Sequence, residues 1–421
     1  MRSTIKIVIL LFFICTSMSG ASFPDMEKYM RQHALIWEQL PMQWNEGAFL
    51  GNGLVGMMVY ADSTLNALVF HLGRPDVTDH RKAPYRKTSI GTEEADKMVD
   101  FCRLDVGKML LFPEGKILSG TFYLDIYNAE LTGHLKTDKG DLTFHAYTPQ
   151  PEEVNIVEVS SGVPYRWKGI PGNPCSPRIR VFPHLKEKLK YKDNPAPVVD
   201  QKDKEGSWVQ SLLAGGDYAT YWKEVPGGKS RSVLYVSTAN EVPASSLSLA
   251  KAMKTVEATQ ITGTKLLKQK TRQWWNAYHE RSFLSIPDKK LENFYFIQMY
   301  KLATCSHPDG PAMDVMGTFF KLSPWPSFWW NLNIQLTYMP IGPANRMEQG
   351  KNFQRLMDEV FPSLVRSIEP CKIGDYTWAL QNYYMYLRYA GADWQDIKQQ
   401  VVPKALDAFA VSFIKGVLDN P

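Results

Sequence analysis

Long apolar runs, cysteine pairs and basic clusters are all scarce in this chain, and each scarcity excludes something. After the first 21 residues no segment is apolar for the ~20 residues that a transmembrane helix needs, so no membrane span is expected. Cys102, Cys175, Cys305 and Cys371 show no C-x-x-C spacing and no histidine in metal-ligand register, which argues against a metal site. One or two disulfides, or four isolated thiols, fit these positions equally. No run of Lys or Arg occurs, and a net charge of +5 is too mild for a nucleic-acid binder. P-loop, dinucleotide fingerprint, zinc motif and a Ser-His-Asp set in recognisable context are missing, so no cofactor is expected.

The N-terminus carries Arg2 and Lys6, then the apolar run Ile7 to Ile14, then small residues up to Ala21. That order reads as a signal peptide over residues 1–21, cleaved after Ala21, and predicts a secreted or periplasmic protein. The lipoprotein alternative through Cys15 is disfavoured by the bulky Ile14.

What the chain has in quantity is aromatic surface. Twelve Trp and twenty Tyr are many for 421 residues, and several Trp lie in Pro-rich, loop-like stretches. Flat aromatic faces suit the C–H faces of sugar rings, with hydrogen-bonding groups nearby for the hydroxyls; large aromatics also simply fill cores. From Ser22 to Pro243 short runs rich in β-branched and aromatic residues recur between Gly, Pro, Asn and Asp: 54–60, 67–72, 120–127, 142–147, 155–160 and 232–237. Their spacing predicts a β-sandwich over 22–243, with a hairpin and a crossing over 186–204. Helical periodicity then takes over. A connecting helical segment is predicted for 244–286, broken near Gly263, and further helices over 291–303, 349–364, 376–389 and 394–418. β first and α second implies separate domains, the last being 287–421.

Pro324 and Pro326 forbid helix where they stand, so a helix can start only after them. Asn331 or Asn333 can then cap the helix that follows. A second possibility is more interesting. Residues two apart diverge on a helix but point the same way in an extended entry, so the amides of Asn331 and Asn333 could converge on one water or sugar hydroxyl, walled by tryptophan.

The stretch Asn331-Leu332-Asn333-Ile334-Gln335-Leu336-Thr337-Tyr338 resembles the N-I-N-x-Q-M-N-Y-W signature of glycoside hydrolase family 95, the inverting α-L-fucosidases and α-L-galactosidases. Trp44-Asn45-Glu46-Gly47 and Leu50-Gly51-Asn52-Gly53-Leu54-Val55-Gly56-Met57 resemble that family's opening block, and Trp274-Trp275 with Arg281-Ser282 its linker. The resemblance implies an N-terminal β-super-sandwich, a helical linker and a six-hairpin (α/α)6 barrel, here incomplete. It makes Asn331 and Asn333 the catalytic pair that positions the attacking water. Trp325, Trp329, Trp330, Gln335 and Tyr338 become the candidate sugar contacts on an oligosaccharide or polysaccharide. Met339, Thr337 and Leu336 stand where the family has Trp, Asn and Met, and Gly317-Thr318-Phe319-Phe320 where it has G-x-W-N. These departures mark a divergent member.

Inversion needs a general acid and a general base on opposite faces of the sugar. The family's S-P-E acid segment does not occur here, and its base lies later still, so the chain is expected to be C-terminally truncated and without measurable glycosidase activity. Glu46, Asp79, Glu348 and Asp375 are the substitutes weighed, along with a polar cluster of His71, His80, Arg74 and Asp76. A solvated or structural role suits each better. The competing readings are a non-catalytic sugar-binding remnant, and another sandwich-plus-barrel enzyme such as a rhamnosidase-like hydrolase, a disaccharide phosphorylase or a lyase.

Overall fold

The computed structural model describes residues 25–79, 102–188, 190–242, 247–326, 328 and 332–368. The expected signal peptide, His80, Trp329, Trp330, Asn331, Cys371, Asp375 and the two last helical windows lie outside them.

Fourteen strands among the described residues form two antiparallel sheets. The larger runs β1(Leu35–Trp37), β6(Ile117–Asp125), β7(Glu130–Thr137), β8(Asp141–Tyr147), β9(Val154–Ser161), β14(Arg231–Glu241), β13(Asp217–Gly228), β12(Glu205–Ser211), β11(Val198–Gln201). The smaller runs β10(Tyr165–Ile170), β5(Lys108–Pro113), β4(Ala67–Gly73), β3(Gly56–Asp62), β2(Ala48–Gly51). Alternation sets the faces. In β8, Leu142, Phe144 and Ala146 turn to the core while Thr143 and His145 turn away. The sheets meet through Phe70, Phe122, Phe144 and Trp167, with Phe70 and Phe144 edge-to-face at 5.5 Å. The expected β-sandwich is present.

The 186–204 stretch corrects part of an expectation. A short helix, His184–Lys188, opens it, and the hairpin comes only at its end, where Val198–Gln201 folds back antiparallel onto β12 at the sheet edge.

Helices α1(Met26–Arg31), α2(Pro177–Val181) and α3(His184–Lys188) are short. Two longer ones follow the sandwich, α4(Ser248–Thr262) and α5(Thr264–His279), separated at Gly263, whose φ of 80° ends the first. α4 sets Ala252 and Val256 on Tyr221, Tyr235 and Ala239, which closes part of the outer face of the larger sheet. Next comes α6(Lys289–Cys305), where Asp288 accepts from the N–H groups of Lys290 and Leu291 at 3.0 and 3.2 Å, a side-chain N-cap. Trp275 and Tyr278 of α5 and Phe296, Tyr300 and Ala303 of α6 share one apolar core with the sandwich. No described helix is long and apolar enough to cross a membrane. Cys102 and Cys305 are buried and Cys175 is half-buried, and among the described residues no disulfide joins them.

Candidate active site

The outer face of the smaller sheet is where the helical region begins. Phe49, Met58 and Tyr60 point out of the sandwich and pack with Leu302, Cys305, Met313, Phe319, Ile334 and Tyr338. That cluster fastens the end of α6, the loop after it and α7(Leu332–Tyr338) onto the sheet. Beyond lies α8(Lys351–Ile368).

The Gly-Asn-Gly motif holds this junction. Asn52 is fully buried and uses its whole amide. Its Nδ2 donates to the Pro149 and Glu152 carbonyls at 2.7 and 2.8 Å, and its Oδ1 accepts from the Leu54 and Val55 N–H groups, both at 3.0 Å. Gly53 has φ 83°, and a Cβ there would run into the Ser306–His307 backbone. The motif therefore seats the strand turn against the helical layer and offers nothing to a ligand.

The loop from Met313 to Pro326 is pinned from below by two arginines that sequence reasoning did not single out. Buried Arg103 donates through Nη1 to Asp314 Oδ2 at 3.0 Å and to the Gly317 carbonyl at 2.7 Å. Arg178 donates to the Pro324 carbonyl at 2.7 Å. Burial pushes the Asp314 carboxyl up against the opposing pull of Arg103. No local signal could have revealed the Arg103–Asp314 pair, whose members are 211 residues apart.

On this loop Trp325 is about half exposed, at 48 %. Asn333 lies within α7 and is helical, which does not match an extended entry through that position. The 200° divergence of i and i+2 then applies to any helical neighbour two residues away. Asn333 is half-buried, and its side-chain amide makes no hydrogen bond to a described residue, whereas its carbonyl accepts from Thr337 Oγ1 at 2.8 Å. Gln335 is half-buried one residue past Ile334, which sits in the junction cluster. Tyr338 corrects an expectation. It is buried, its hydroxyl accepts from the Met313 N–H at 2.6 Å and donates to Asn352 Oδ1 at 3.0 Å, so it serves the interior and has nothing left for a sugar.

Three of the carboxylates weighed from sequence, Glu46, Asp79 and Glu348, lie among the described residues and have protein work. Glu46 Oε2 accepts from the Met42 N–H at 3.3 Å in an exposed turn. Asp79 is fully buried beside Tyr191 and Asn194 and does not border a cleft. Glu348 pairs with Lys351 at 2.7 Å near the start of α8. Arg74 grips Asp76 with two bonds, at 2.7 and 3.0 Å, and also holds Glu153 and the Thr238 carbonyl. That is a structural ion-pair set. His71 leaves the cluster read from sequence and joins Asp105 instead, Nε2 to Oδ1 at 3.1 Å. Burial alone would raise the Asp105 carboxyl, but His71 and the Gly107 N–H outweigh it and hold it low. Chemically, then, this face offers an amide and an indole, which can orient a water or a hydroxyl, but an amide cannot take up the proton.

No protein-family model matches the chain, and no curated protein matches it. Among solved structures it is similar to one described as "Putative kojibiose phosphorylase from human microbiome", at 10 % identity and a TM-score of 0.45, over 68 % of this chain and 43 % of that one. It is also similar to a bacterial glucoamylase complexed with acarbose, at 10 % identity and a TM-score of 0.42, over 87 % of this chain and 61 % of that one. The chain thus spans less than two thirds of the length of either.

Proposed function

We propose that this chain is the sandwich and first helices of a glycoside hydrolase that acts on α-linked fucose- or galactose-type sugars by inversion, with Asn331 and Asn333 steering the attacking water. The observation that supports it most is Asn333, which stands half-buried in the first turn of α7 with its amide uncommitted among the described residues. Buried or half-buried amides are normally hydrogen-bonded, so an uncommitted one is poised for water or a hydroxyl. Trp325 adds an exposed ring on the preceding loop. A surrounding helical barrel is supported by α7 itself, because Leu332 and Leu336 stay exposed at 62 % and 53 % on one face, which a further helix layer would cover.

Asp314, Asp105 and Glu348 are already engaged inside the protein. The same engagement favours, as second reading, sugar binding without hydrolysis. Calorimetric titration with α-fucosyl and α-galactosyl oligosaccharides, alongside turnover of the aryl glycosides, separates these. The expected result is weak binding, a Kd of about 1 mM, made ~10-fold weaker by Asn333→Ala, with no turnover by the 421-residue chain. Turnover that Asn333→Ala abolishes would remove the binding-only reading. Binding that ignores the substitution would sink the role of Asn333.

A further inference from the structure

The outer face of the larger sheet changes character along its strands. At one end Tyr147, Val154, Ile156 and Tyr235 are apolar and α4 covers them. Toward the other end the same strands present Thr143 and His145, Glu158 and Ser160, and Arg231, and here α4 gives way to α5. Between α5 and this polar face runs a groove of about 1000 Å³. It shares no lining residue with the α7 region.

Its floor is ordered by strand pairing. His134 lies opposite Thr143, Thr143 opposite Ser160, and Ser160 opposite Arg231, so four polar side chains cross the sheet in one line. At the usual strand spacing that line is about 14 Å long, roughly three linked pyranose rings. The wall is a helical stripe of α5, namely Lys265, Lys268, Gln269, Arg272, Gln273 and Asn276, at the i, i+3, i+4 spacing of one helix face.

Charge decides the ligand class. Glu158, which lines the groove, and Glu130, which holds two of its lining residues, are both neutralised inside the protein. Glu158 takes Lys268 at 2.8 Å, and Glu130 takes His145 at 2.9 Å and Arg272 at 2.5 and 2.7 Å. Arg231 and Lys265 remain as exposed cations without a carboxylate partner among the described residues. A groove with hydroxyl, imidazole and amide groups and surplus positive charge suits a polyhydroxylated anion. Phe144 and Val159 at its base are buried in the core.

We propose that the groove between α5 and strands β7, β8, β9 and β14 binds an anionic oligosaccharide, held by Arg231 and Lys265 through its acidic groups and by the Thr143–Ser160 line through its hydroxyls. The site is independent of the α7 region, so either assignment can fail alone.

The test is calorimetric titration of the full chain at low and high salt. The probes are a galacturonate hexamer and a sulfated heparin hexasaccharide as carboxylate and sulfate arms, with the methyl-esterified hexamer, inorganic sulfate and a short single-stranded DNA for comparison. At least one acidic oligosaccharide is expected to bind at least 10-fold more tightly than the neutral one, more weakly in salt, and which arm binds identifies the acidic group. Arg231→Gln with Lys265→Gln is expected to weaken it ~10-fold or more. Ser160→Trp, which blocks the floor and leaves the charge alone, is expected to do the same, while Lys270→Gln outside the groove changes nothing. All these positions are exposed, so folding is preserved, and thermal melts check it. Equal binding of the neutral hexamer, binding of DNA or sulfate as tight as that of the sugars, indifference to Ser160→Trp, or no binding by either acidic sugar would each overturn the proposal.

Discussion

Asn52 shows how one side chain can govern a junction between layers. Two of its four hydrogen bonds join the turn after β2 to Pro149 and Glu152, the other two hold the turn itself, and the side chain is buried. Asn52→Ala removes the partner of the Leu54 and Val55 N–H groups and of the Pro149 carbonyl, while the Glu152 carbonyl keeps the Val154 N–H, at a cost of about 3 kcal/mol, to be read from the midpoint of urea unfolding. Gly53→Ala is expected to be at least as damaging, because both the positive φ and the His307 backbone oppose a methyl group. Neither change should alter sugar binding per folded molecule if the motif is purely structural. The sequence marked these residues as special through their resemblance to an opening block, yet their job emerged only from the contact with residues 306–307.

Among the elements, α6 illustrates what periodicity does and does not convey. The pattern Leu291, Phe294, Tyr295, Gln298, Met299, Leu302 predicts a helix, and the helix is there. Met299 and Leu302 of that set are buried, together with Glu292, Phe296, Tyr300 and Ala303, while Leu291 and Phe294 are each 59 % exposed. The apolar residues cover more than one side of the helix, so the period identifies the element without choosing the face that the sandwich takes. Asp288 opens the helix as an N-cap, and Asp288→Ala is expected to cost about 1 kcal/mol, measurable as a lowered thermal midpoint. Strands divide in the same way. β8 alternates cleanly and was legible, whereas β5 and the first half of β13 are buried almost continuously and show no period-2 signal. For α7, the prolines at 324 and 326 placed the helix after them, and the described helix spans Leu332–Tyr338.

At the scale of the whole molecule, the sandwich and its helices are tied by charge as well as by apolar packing. Glu130 of β7 receives hydrogen bonds from His145 of β8 and from Arg272 of α5. Burial works against its ionised form, but those two partners prevail and bring its pKa down to about 2. A carboxylate lowered in this way stabilises the fold above its ordinary value near 4.5, and that contribution drains away as the pH falls toward about 2. Thermal melts across this window should show the wild-type midpoint dropping. Glu130→Gln should start lower at neutral pH and converge with the wild type as acid protonates the carboxylate. A constant gap down to pH 2 would contradict this account.

The amino-acid order alone determined the β-then-α sequence of elements, the break at Gly263 and the Pro-bounded start of α7, because alternation, helical period and the φ demands of glycine and proline act over a few residues. Tertiary structure alone decided that Arg103 meets Asp314, that His71 pairs with Asp105 and not with its sequence neighbours, that Tyr338 turns inward, and that a polar groove lies under α5. Those outcomes depend on which distant segments come together, and no local pattern encodes a partner dozens to hundreds of residues away.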